Sequence, residues 1–374
     1  MSSPYWNPTH RWIESGSFTK IPAFLEPLHP KTILLILGKK SFRSSPYFSK
    51  LQGMLAPYQL IESGPVPPNP KQDFIQEEIN RLKNKPFDLV LAIGGGSVLD
   101  LAKILASIPR QEETHLEEYL KGKFELKKPA VPLIAVPTTA GTGSEVTPYA
   151  SLETKDRKKM TISHPAFYPT VALIDPELCC SMPAYVTAST GFDALSQAIE
   201  SFWSVHATPF SRTHSLRALE LIISNFRKVL KNPKDTEARF AMSLASCEAG
   251  LAISQTKTTA VHSVSYPITT HFGIAHGHAC ALTLAPFVRF NAPVLKEEGK
   301  PLMARFGAAD YEGMAREIED LMEVMGLERS LSKLGIDDKG IGLIVRDGFR
   351  PDRVKNNPRP LSTENLQEIL QSIR

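Results

Sequence analysis

The chain has 374 residues, of which 42% are hydrophobic and 22% are charged, with a formal net charge of +4. This length predicts two domains, because a single hydrophobic core rarely grows beyond about 250–300 residues. The composition is typical of a globular protein, and so mild a charge argues against a nucleic-acid partner but leaves an anionic small substrate open.

The sequence also lacks membrane and export signals. No run reaches the roughly 18 apolar residues that a membrane span needs, and the N-terminus has no charged-then-apolar signal pattern. A cytoplasmic location is therefore the default expectation. The four cysteines, at 179, 180, 247 and 280, form no CxxC pair, so we expect reduced and mostly buried thiols.

Short apolar runs alternate with helical periodicity in the first half of the chain. The predicted elements are strands 32–37 and 59–62, helix 71–84, strand 89–93, helix 97–108 and strand 131–136. Strands that alternate with helices indicate an α/β domain with a parallel sheet.

After about residue 180 the pattern changes to long helical stretches without a convincing strand. The predicted helices are roughly 187–204, 212–230, 235–254, 275–291 and 312–334. The turn-rich segment 175–184 separates the two patterns. We therefore predict an α/β domain at 1–180 and an all-α domain at 181–374.

A run of glycines links the strand at 89–93 to the next helix. Gly94, Gly95 and Gly96 let the backbone approach a ligand closely, and Ser97 opens a helix whose N-terminus favours a pyrophosphate. Asp100 lies one turn further on. Taken alone, the motif is equally typical of a tight strand-to-helix turn.

A second small-residue segment, 137–145, follows the strand at 131–136. Thr138, Thr139, Thr142 and Ser144 can hydrogen-bond to ribose, phosphate or a carboxamide, although such a segment also occurs as a simple capping turn. Because both segments follow parallel strands, they converge on the edge where open α/β sheets bind ligands. Together they predict a nucleotide site.

Potential metal ligands occur in the helical half. Asp193, Gln197 and Glu200 share one helical face, which can equally be a solvated polar stripe. Four of the ten histidines fall within 17 residues, at 262, 271, 276 and 278. Neutral imidazoles with a carboxylate suit zinc or a first-row transition metal, although any one of these histidines can instead be structural.

Read in order, these segments resemble the iron-containing alcohol dehydrogenases. The similarity lies in GGGSVLDLAK (94–103), PTTAGTGSEVT (137–147), ALIDPEL (172–178), GFDALSQAIE (191–200) and HSVSYPITTHFGIAHGHA (262–279). It covers nearly the whole chain. The resemblance implies a dinucleotide-binding α/β domain, a helical metal-binding and catalytic domain, and NAD(P)-linked oxidation of alcohols or reduction of aldehydes.

Carried over to this chain, the family's ligands for a divalent metal, Fe²⁺ or Zn²⁺, fall on Asp193, Gln197, His262 and His276. The family usually has histidine where Gln197 stands. An amide oxygen is a weaker ligand than imidazole for these metals, so Gln197 is expected to bind weakly or to lie outside the ligand set.

A second departure concerns proton transfer. The family often has a histidine that is not a ligand where this chain has Tyr266. The resemblance therefore leaves Tyr266 or His271 as the candidate catalytic group for the proton.

The resemblance also bears on the cofactor, NADP or NAD. NAD-preferring members commonly carry an aspartate after the first strand, whereas this chain has Gly38, Lys39, Lys40 and Arg43 there. Cationic side chains admit and pair with a 2′-phosphate, which favours NADPH, although a solvated basic turn explains them too. The Gly94–Ser97 loop would hold the pyrophosphate, and the threonines of 137–145 would lie along the nicotinamide half.

Several functions remain open within this resemblance. Segment 262–284 is most similar to the branch that reduces phosphonoacetaldehyde to 2-hydroxyethylphosphonate, with Tyr266, His271, His278, Arg289 and Lys159 as candidate head-group partners. A broad reductase of short aldehydes such as butanal or lactaldehyde is the main alternative. Less favoured are a dehydroquinate-synthase-like lyase and a nucleotide binder without catalysis. A small aldehyde or alcohol, which can be anionic, and a homodimer are the expected partners.

Overall fold

The computed structural model describes residues 5–374, which form two compact units. One unit contains Asn7–Thr139 and Ser144–Cys179, and the other contains residues 5–6, Ala140–Gly143 and Cys180–Arg374. None of the helices in the described residues is both long and apolar enough to cross a membrane. The functional division at residue 180 stays a prediction.

The first unit is built on a parallel sheet with strand order β1-β8-β5-β4-β2-β3, and β6 and β7 form a separate antiparallel pair. The strands are β1 His10–Ile13, β2 Thr32–Leu37, β3 Gln59–Glu62, β4 Leu89–Gly94, β5 Leu133–Pro137, β6 Tyr149–Glu153, β7 Lys159–Ser163 and β8 Val171–Ile174. The predicted α/β class is confirmed. The sequence did not predict β1, β8 or the β6–β7 pair.

Helices cover both faces of this sheet. They are α1 Ile21–Leu25, α2 Pro46–Leu55, α3 Gln72–Leu82, α4 Gly96–Ser107 and α5 Leu116–Leu120. Alternate residues of each strand point to opposite faces, so Leu34 and Ile36 enter the core beneath α3 and α4, while Ile33 and Leu35 enter the core with α2. Burial on both faces explains why β2 and β4 are continuous apolar runs.

The second unit is helical throughout its described residues, which confirms the predicted all-α class. Its helices are α6 Ala184–Trp203, α7 Pro209–Lys231, α8 Thr236–Thr256, α9 Ala260–Phe272, α10 His276–Leu295, α11 Lys300–Phe306, α12 Tyr311–Val324, α13 Asp338–Gly348, α14 Pro351–Val354 and α15 Thr363–Gln371. The predicted helix 312–334 is wrong at its C-terminal end. It stops ten residues early, because the chain turns at Gly326 with a left-handed φ of 72°.

Helix α6 lies at the centre of the helical unit and is buried along most of its length. Two glycines permit this close packing. A Cβ on Gly191 would lie 2.1 Å from the Phe226 ring of α7, and a Cβ on Gly277 would lie 1.7 Å from the Ser189 carbonyl oxygen of α6. The N-terminus of α10 therefore sits directly against α6.

A fully buried lysine organises the α/β unit where α4 meets the segment after β5. Lys103 Nζ donates to Ser144 Oγ at 2.7 Å and to the Tyr149 carbonyl at 2.6 Å, and it lies 3.7 Å from Asp100 Oδ1. Burial lowers the pKa of Lys103 to about 8, against the opposing charges of Asp100 and Glu145. These two acceptors, a third at 3.3 Å (Thr147 Oγ1) and the nearby carboxylate offset the cost of burying this charge.

Glu145 supplies a pH test of this network. Burial raises the pKa of its carboxyl from 4.5 to about 7, although its own backbone N–H and Lys103 oppose the shift. Between these two values the folded state keeps a proton that the unfolded state has lost. The contribution of Glu145 to stability is therefore complete below the unfolded pKa and is lost as pH rises towards the folded one.

We expect the stability of the wild type, relative to Glu145→Gln, to fall by about 2–3 kcal/mol between about pH 4.5 and pH 7. The glutamine variant is the control, because it is the same size and does not titrate. Urea unfolding of both proteins at several pH values measures the difference. A constant difference across this range would contradict a buried, protonated Glu145.

Candidate active site

Three predicted nucleotide segments follow neighbouring strands of the parallel sheet. Gly38 comes directly after β2, Gly94 ends β4, and Thr138 comes directly after β5. The register pairs Leu37 with Ile93 and Gly94 with Pro137, so the three segments meet at one carboxyl edge. This is the edge at which open α/β sheets bind ligands.

The N-terminus of α4 points its backbone N–H groups at this edge. No side chain caps the N-terminus, where Gly95 occupies the cap position. A Cβ on Gly95 would lie 3.3 Å from Thr139 Oγ1, so the two loops are in close approach. Ser97 Oγ accepts a hydrogen bond from the Asn69 N–H at 3.1 Å. An uncapped helix N-terminus beside glycines is suited to an anion such as a pyrophosphate.

Other predicted cofactor residues have partners within the protein. Ser144 Oγ donates to Asp100 Oδ1 at 2.6 Å, and Asp100 Oδ2 accepts the Ser151 N–H at 2.8 Å. Thr142 lies in the Ala140–Gly143 segment of the helical unit, where its carbonyl accepts from Gln197 Nε2 at 3.3 Å. Asp100 and Ser144 therefore hold the loops in place in this structure.

The basic turn after β2 contains one engaged and two exposed cations. Arg43 forms an ion pair with Glu62 of β3, so its charge is already compensated. Lys39 and Lys40 are exposed. The lysines rather than Arg43 therefore remain as candidates to meet a 2′-phosphate.

Four donor side chains of the helical unit converge within 4.8 Å of one another: Asp193 of α6, His262 of α9, and His276 and Cys280 of α10. His262 Nε2 lies 3.2 Å from Asp193 Oδ1, and His276 Nε2 lies 4.0 Å from the same oxygen. Three of the four were predicted as metal ligands, and Cys280 was not. This donor set suits a transition metal or zinc.

Gln197, the fourth predicted ligand, lies beside these donors. Its Nε2 donates to Asp193 Oδ1 at 3.0 Å, while its Oε1 is buried and has no hydrogen-bond partner among residues 5–374. A buried amide oxygen without a partner is costly, and a nearby cation is one group that would satisfy it. The orphaned oxygen and the donor set both fit a metal here.

Glu200 fixes the orientation of His262. One carboxylate oxygen contacts His262 Nδ1, and the other accepts from Thr259 Oγ1 at 2.7 Å and the Thr259 N–H at 3.0 Å. Burial alone would raise the pKa of Glu200, but contact with His262 and Thr259 keeps it below its ordinary value. With Nδ1 held by Glu200, His262 presents Nε2 to Asp193. The polar face of α6 is therefore buried and not a solvated stripe.

Tyr266 and His271, the two candidates for proton transfer, occupy different environments. The Tyr266 ring lies 5.7 Å from the His276 ring, measured between centroids. His271 Nε2 lies 2.9 Å from Asp347 Oδ2, and His271 is not one of the four clustered donors. The geometry thus associates Tyr266, more than His271, with the candidate metal ligands.

Two arginines that the sequence did not single out flank Tyr266. The guanidinium of Arg353 lies 5.0 Å from the Tyr266 ring centroid, and that of Arg350 lies 5.7 Å away. Arg353 donates to Thr258 Oγ1 through Nη1, while its buried Nε lacks a hydrogen-bond partner. The Nε of Arg350 lies 3.4 Å from Asp352 Oδ1 at the surface. Positive charge therefore collects beside Tyr266.

The residues that the sequence offered as head-group partners are mostly engaged elsewhere. Arg289 forms a cluster with Glu312 and Glu319, so its charge is already compensated, and its assignment to the substrate stays an untested prediction. The Nδ1 of His278 is hydrogen-bonded to the Tyr185 hydroxyl, and its Nε2 is hydrogen-bonded to the Glu328 carbonyl. Neither nitrogen is therefore left for a ligand. Lys159 is buried in β7 of the α/β unit.

We expect Glu200→Gln to weaken metal binding about 10- to 100-fold, because an amide holds a ligating imidazole less firmly than a carboxylate does. Competition with a chromogenic chelator measures the affinity. Ser201→Ala is the matched control, since Ser201 is buried on the same helix but bonds only to the Ala198 carbonyl. Equal affinity in wild type and Glu200→Gln would count against this orienting role.

The sequence matches two family models that together span most of the chain. Residues 8–176 match the model described as iron-containing alcohol dehydrogenase, and residues 187–374 match the C-terminal model of the Fe-containing alcohol dehydrogenase family.

Individual relatives agree with these matches. Long-chain-alcohol dehydrogenase 1 of Geobacillus thermodenitrificans is 32% identical, with 82% of this chain and 80% of the relative covered. Phosphonoacetaldehyde reductase of Streptomyces viridochromogenes is 30% identical, with 88% and 87% covered. The crystal structure of sulfoacetaldehyde reductase from Bifidobacterium kashiwanohense in complex with NAD⁺ has a TM-score of 0.93 and 32% identity, and covers 100% of this chain and 99% of that one. The chain belongs to the iron-containing alcohol dehydrogenase family and is an oxidoreductase that acts on alcohols and aldehydes.

Proposed function

We propose that this protein reduces a short aldehyde with an anionic head group, phosphonoacetaldehyde, to 2-hydroxyethylphosphonate with NADPH. The proposal rests on the guanidinium groups of Arg350 and Arg353, which both lie close to the ring of Tyr266. Tyr266 in turn lies beside His276. Positive charge next to the candidate metal ligands suits a substrate whose carbonyl and anion are separated by one carbon.

The relatives support this choice of substrate class. One is named a phosphonoacetaldehyde reductase, and a similar structure is a sulfoacetaldehyde reductase. Both names describe an acetaldehyde that carries a charged phosphorus or sulfur group. A third relative is named a long-chain alcohol dehydrogenase, so the family resemblance alone does not select an anion. The two arginines of this chain supply that selection.

In this proposal the helical domain, 181–374, holds the metal and the substrate. Asp193, His262 and His276 hold a divalent metal, Fe²⁺ or Zn²⁺, and the amide of Gln197 lies beside them, with its Nε2 bonded to Asp193. A metal bound there would supply Lewis acidity, which polarises a carbonyl. Glu200 keeps His262 oriented, and Ser265 Oγ, 3.3 Å from His276 Nδ1, does the same for His276.

The α/β domain, 1–180, binds the dinucleotide. The N–H groups at the start of α4 and the glycines Gly94–Gly96 receive the pyrophosphate, and Thr138 and Thr139 extend along the nicotinamide half. A bound nicotinamide would supply a hydride for the carbonyl carbon, and the protein must supply a proton to the carbonyl oxygen. The hydroxyl of Tyr266 is the proposed carrier of that proton, with His271 as the other candidate.

Substituting Arg353 tests the head-group assignment. We expect Arg353→Met and Arg350→Met each to lower kcat/KM for phosphonoacetaldehyde about 10- to 100-fold, because a charge-assisted hydrogen bond contributes about 1.5–3 kcal/mol. The kcat/KM for propanal, which has no anion, should change by less than about threefold. The comparison is made at a fixed NADPH concentration.

Arg289→Met is the matched control, because Arg289 is paired with two glutamates and should leave the ratio of the two substrates unchanged. If the wild type reduces propanal as well as phosphonoacetaldehyde, the anionic pocket does not exist. The protein is then a general reductase of short aldehydes.

The basic turn after β2 predicts the nucleotide preference. We expect kcat/KM to be higher with NADPH than with NADH, and the ratio to reverse or collapse in Lys39→Glu, since a carboxylate repels a 2′-phosphate. Arg43→Gln is the control, because Arg43 is already paired with Glu62. Steady-state kinetics with both nucleotides decide the matter, and a tenfold preference for NADH in the wild type would refute it.

A further inference from the structure

We infer that Cys280 is a metal ligand. Its thiolate provides the fourth ligand, because Gln197 is a poor one, and the site therefore favours zinc over iron. The inference rests on the metal site of the proposed function but not on the choice of aldehyde. It starts from the four donors that lie within 4.8 Å of one another, of which Cys280 is the only sulfur.

The position of Cys280 follows from helix geometry. His276 and Cys280 are four residues apart on α10, so both side chains leave the same face of that helix. Gly277 brings this end of α10 against α6, because any larger residue would collide with the Ser189 carbonyl. The thiol therefore enters the same small volume as Asp193 and His262.

The burial of Cys280 and the polar groups near it indicate that the thiol has a role other than packing. Cys280 has 0% exposure, and two imidazoles and a carboxylate lie within 4.8 Å of its thiol. A buried cysteine with only a packing role usually lies among apolar side chains. Imidazole nitrogens, carboxylate oxygens and a thiolate are together the ligands that zinc takes in proteins.

Gln197 provides the independent observation. In this structure its amide nitrogen, not its oxygen, faces Asp193, and the oxygen is buried without a partner. An amide oxygen is the weakest of the available donors for a transition metal, whereas a thiolate is a strong one. The chain thus has a poor ligand, Gln197, where an imidazole is expected. It also has a good ligand, Cys280, close to the other three donors.

The ligand change alters metal preference. Thiolate is a softer ligand than imidazole, and softer ligands favour Zn²⁺ and Cu⁺ over Fe²⁺. A set of Asp193, His262, His276 and Cys280 has two nitrogens, one oxygen and one sulfur. Zinc forms sites of this composition and can add a fifth ligand during turnover.

The test uses the metal-free full-length protein loaded with Co²⁺, which reports its ligands by absorption. We expect a strong near-ultraviolet sulfur-to-cobalt charge-transfer band in the wild type and in Cys247→Ser. Cys247 is equally buried but lies on α8, outside the donor set. The band should vanish in Cys280→Ser, and Zn²⁺ affinity, measured by chelator competition, should fall at least tenfold there.

The outcomes separate this inference from the proposed function. Visible cobalt bands without the charge-transfer band in the wild type mean that the metal site exists but Cys280 is not a ligand, which overturns the inference alone. No cobalt spectrum at all in the wild type overturns both the metal site and the inference. The wild-type spectrum decides between these without any variant, so a misfolded Cys280→Ser does not obscure the result.

Discussion

The structure of the helical unit depends on burying a carboxylate, Glu200, against the imidazole of His262. Both side chains are almost fully buried, and an isolated charge in such a position would cost several kcal/mol. The pair is stable because Thr259 donates two further hydrogen bonds to the same carboxylate. Because Nδ1 of His262 contacts Glu200, only its Nε2 can face Asp193. The N-terminus of α9 is thereby tied to the last turn of α6.

In the α/β unit, Lys103 is likewise a buried charged group that hydrogen bonds stabilise, but its charge is positive. Its ammonium is fully buried, and hydroxyl and carbonyl oxygens from the segment after β5 surround it. Removing any one of these acceptors would leave the buried ammonium incompletely hydrogen-bonded. The resulting loss of stability would exceed the contribution of the hydrogen bond itself. Together with Asp100, which bonds to Ser144 and Ser151, Lys103 therefore fixes the end of the segment that follows β5.

The sequence predicted those parts of the fold that leave a strong local pattern. Strands β2 and β4 are buried on both faces and read as continuous apolar runs, and α6, α7 and α8 carry long helical periodicity. Strand β1 was not predicted because its residues are mostly exposed, and β8 has only four residues. Helix α9 was missed for another reason, since Pro267 lies inside it and its apolar pattern is interrupted by serines and threonines.

The site was predictable where the ligands share a motif, and not where tertiary packing assembles them. Asp193, His262 and His276 stand in recognisable segments, whereas Arg350 and Arg353 come from the far end of the chain and approach Tyr266 only in the fold. Cys280 carried a usable signal, its four-residue spacing from His276, but that spacing is common in helices and has meaning only once α6 and α9 are in place.

The two departures from the family pattern each lie beside a candidate metal ligand, Gln197 against Asp193 and Tyr266 against His276, and each is accompanied by a change nearby. Gln197 stands where an imidazole is usual, and a thiol is within reach of the same donors. Tyr266 stands where a second histidine is usual, and it is flanked by guanidinium groups that keep it in a positive environment. The same charge would attract an anionic substrate, so substrate choice would depend on Arg350 and Arg353. A loss of either arginine should therefore affect anionic aldehydes much more than neutral ones, because only the anionic substrate interacts with this charge.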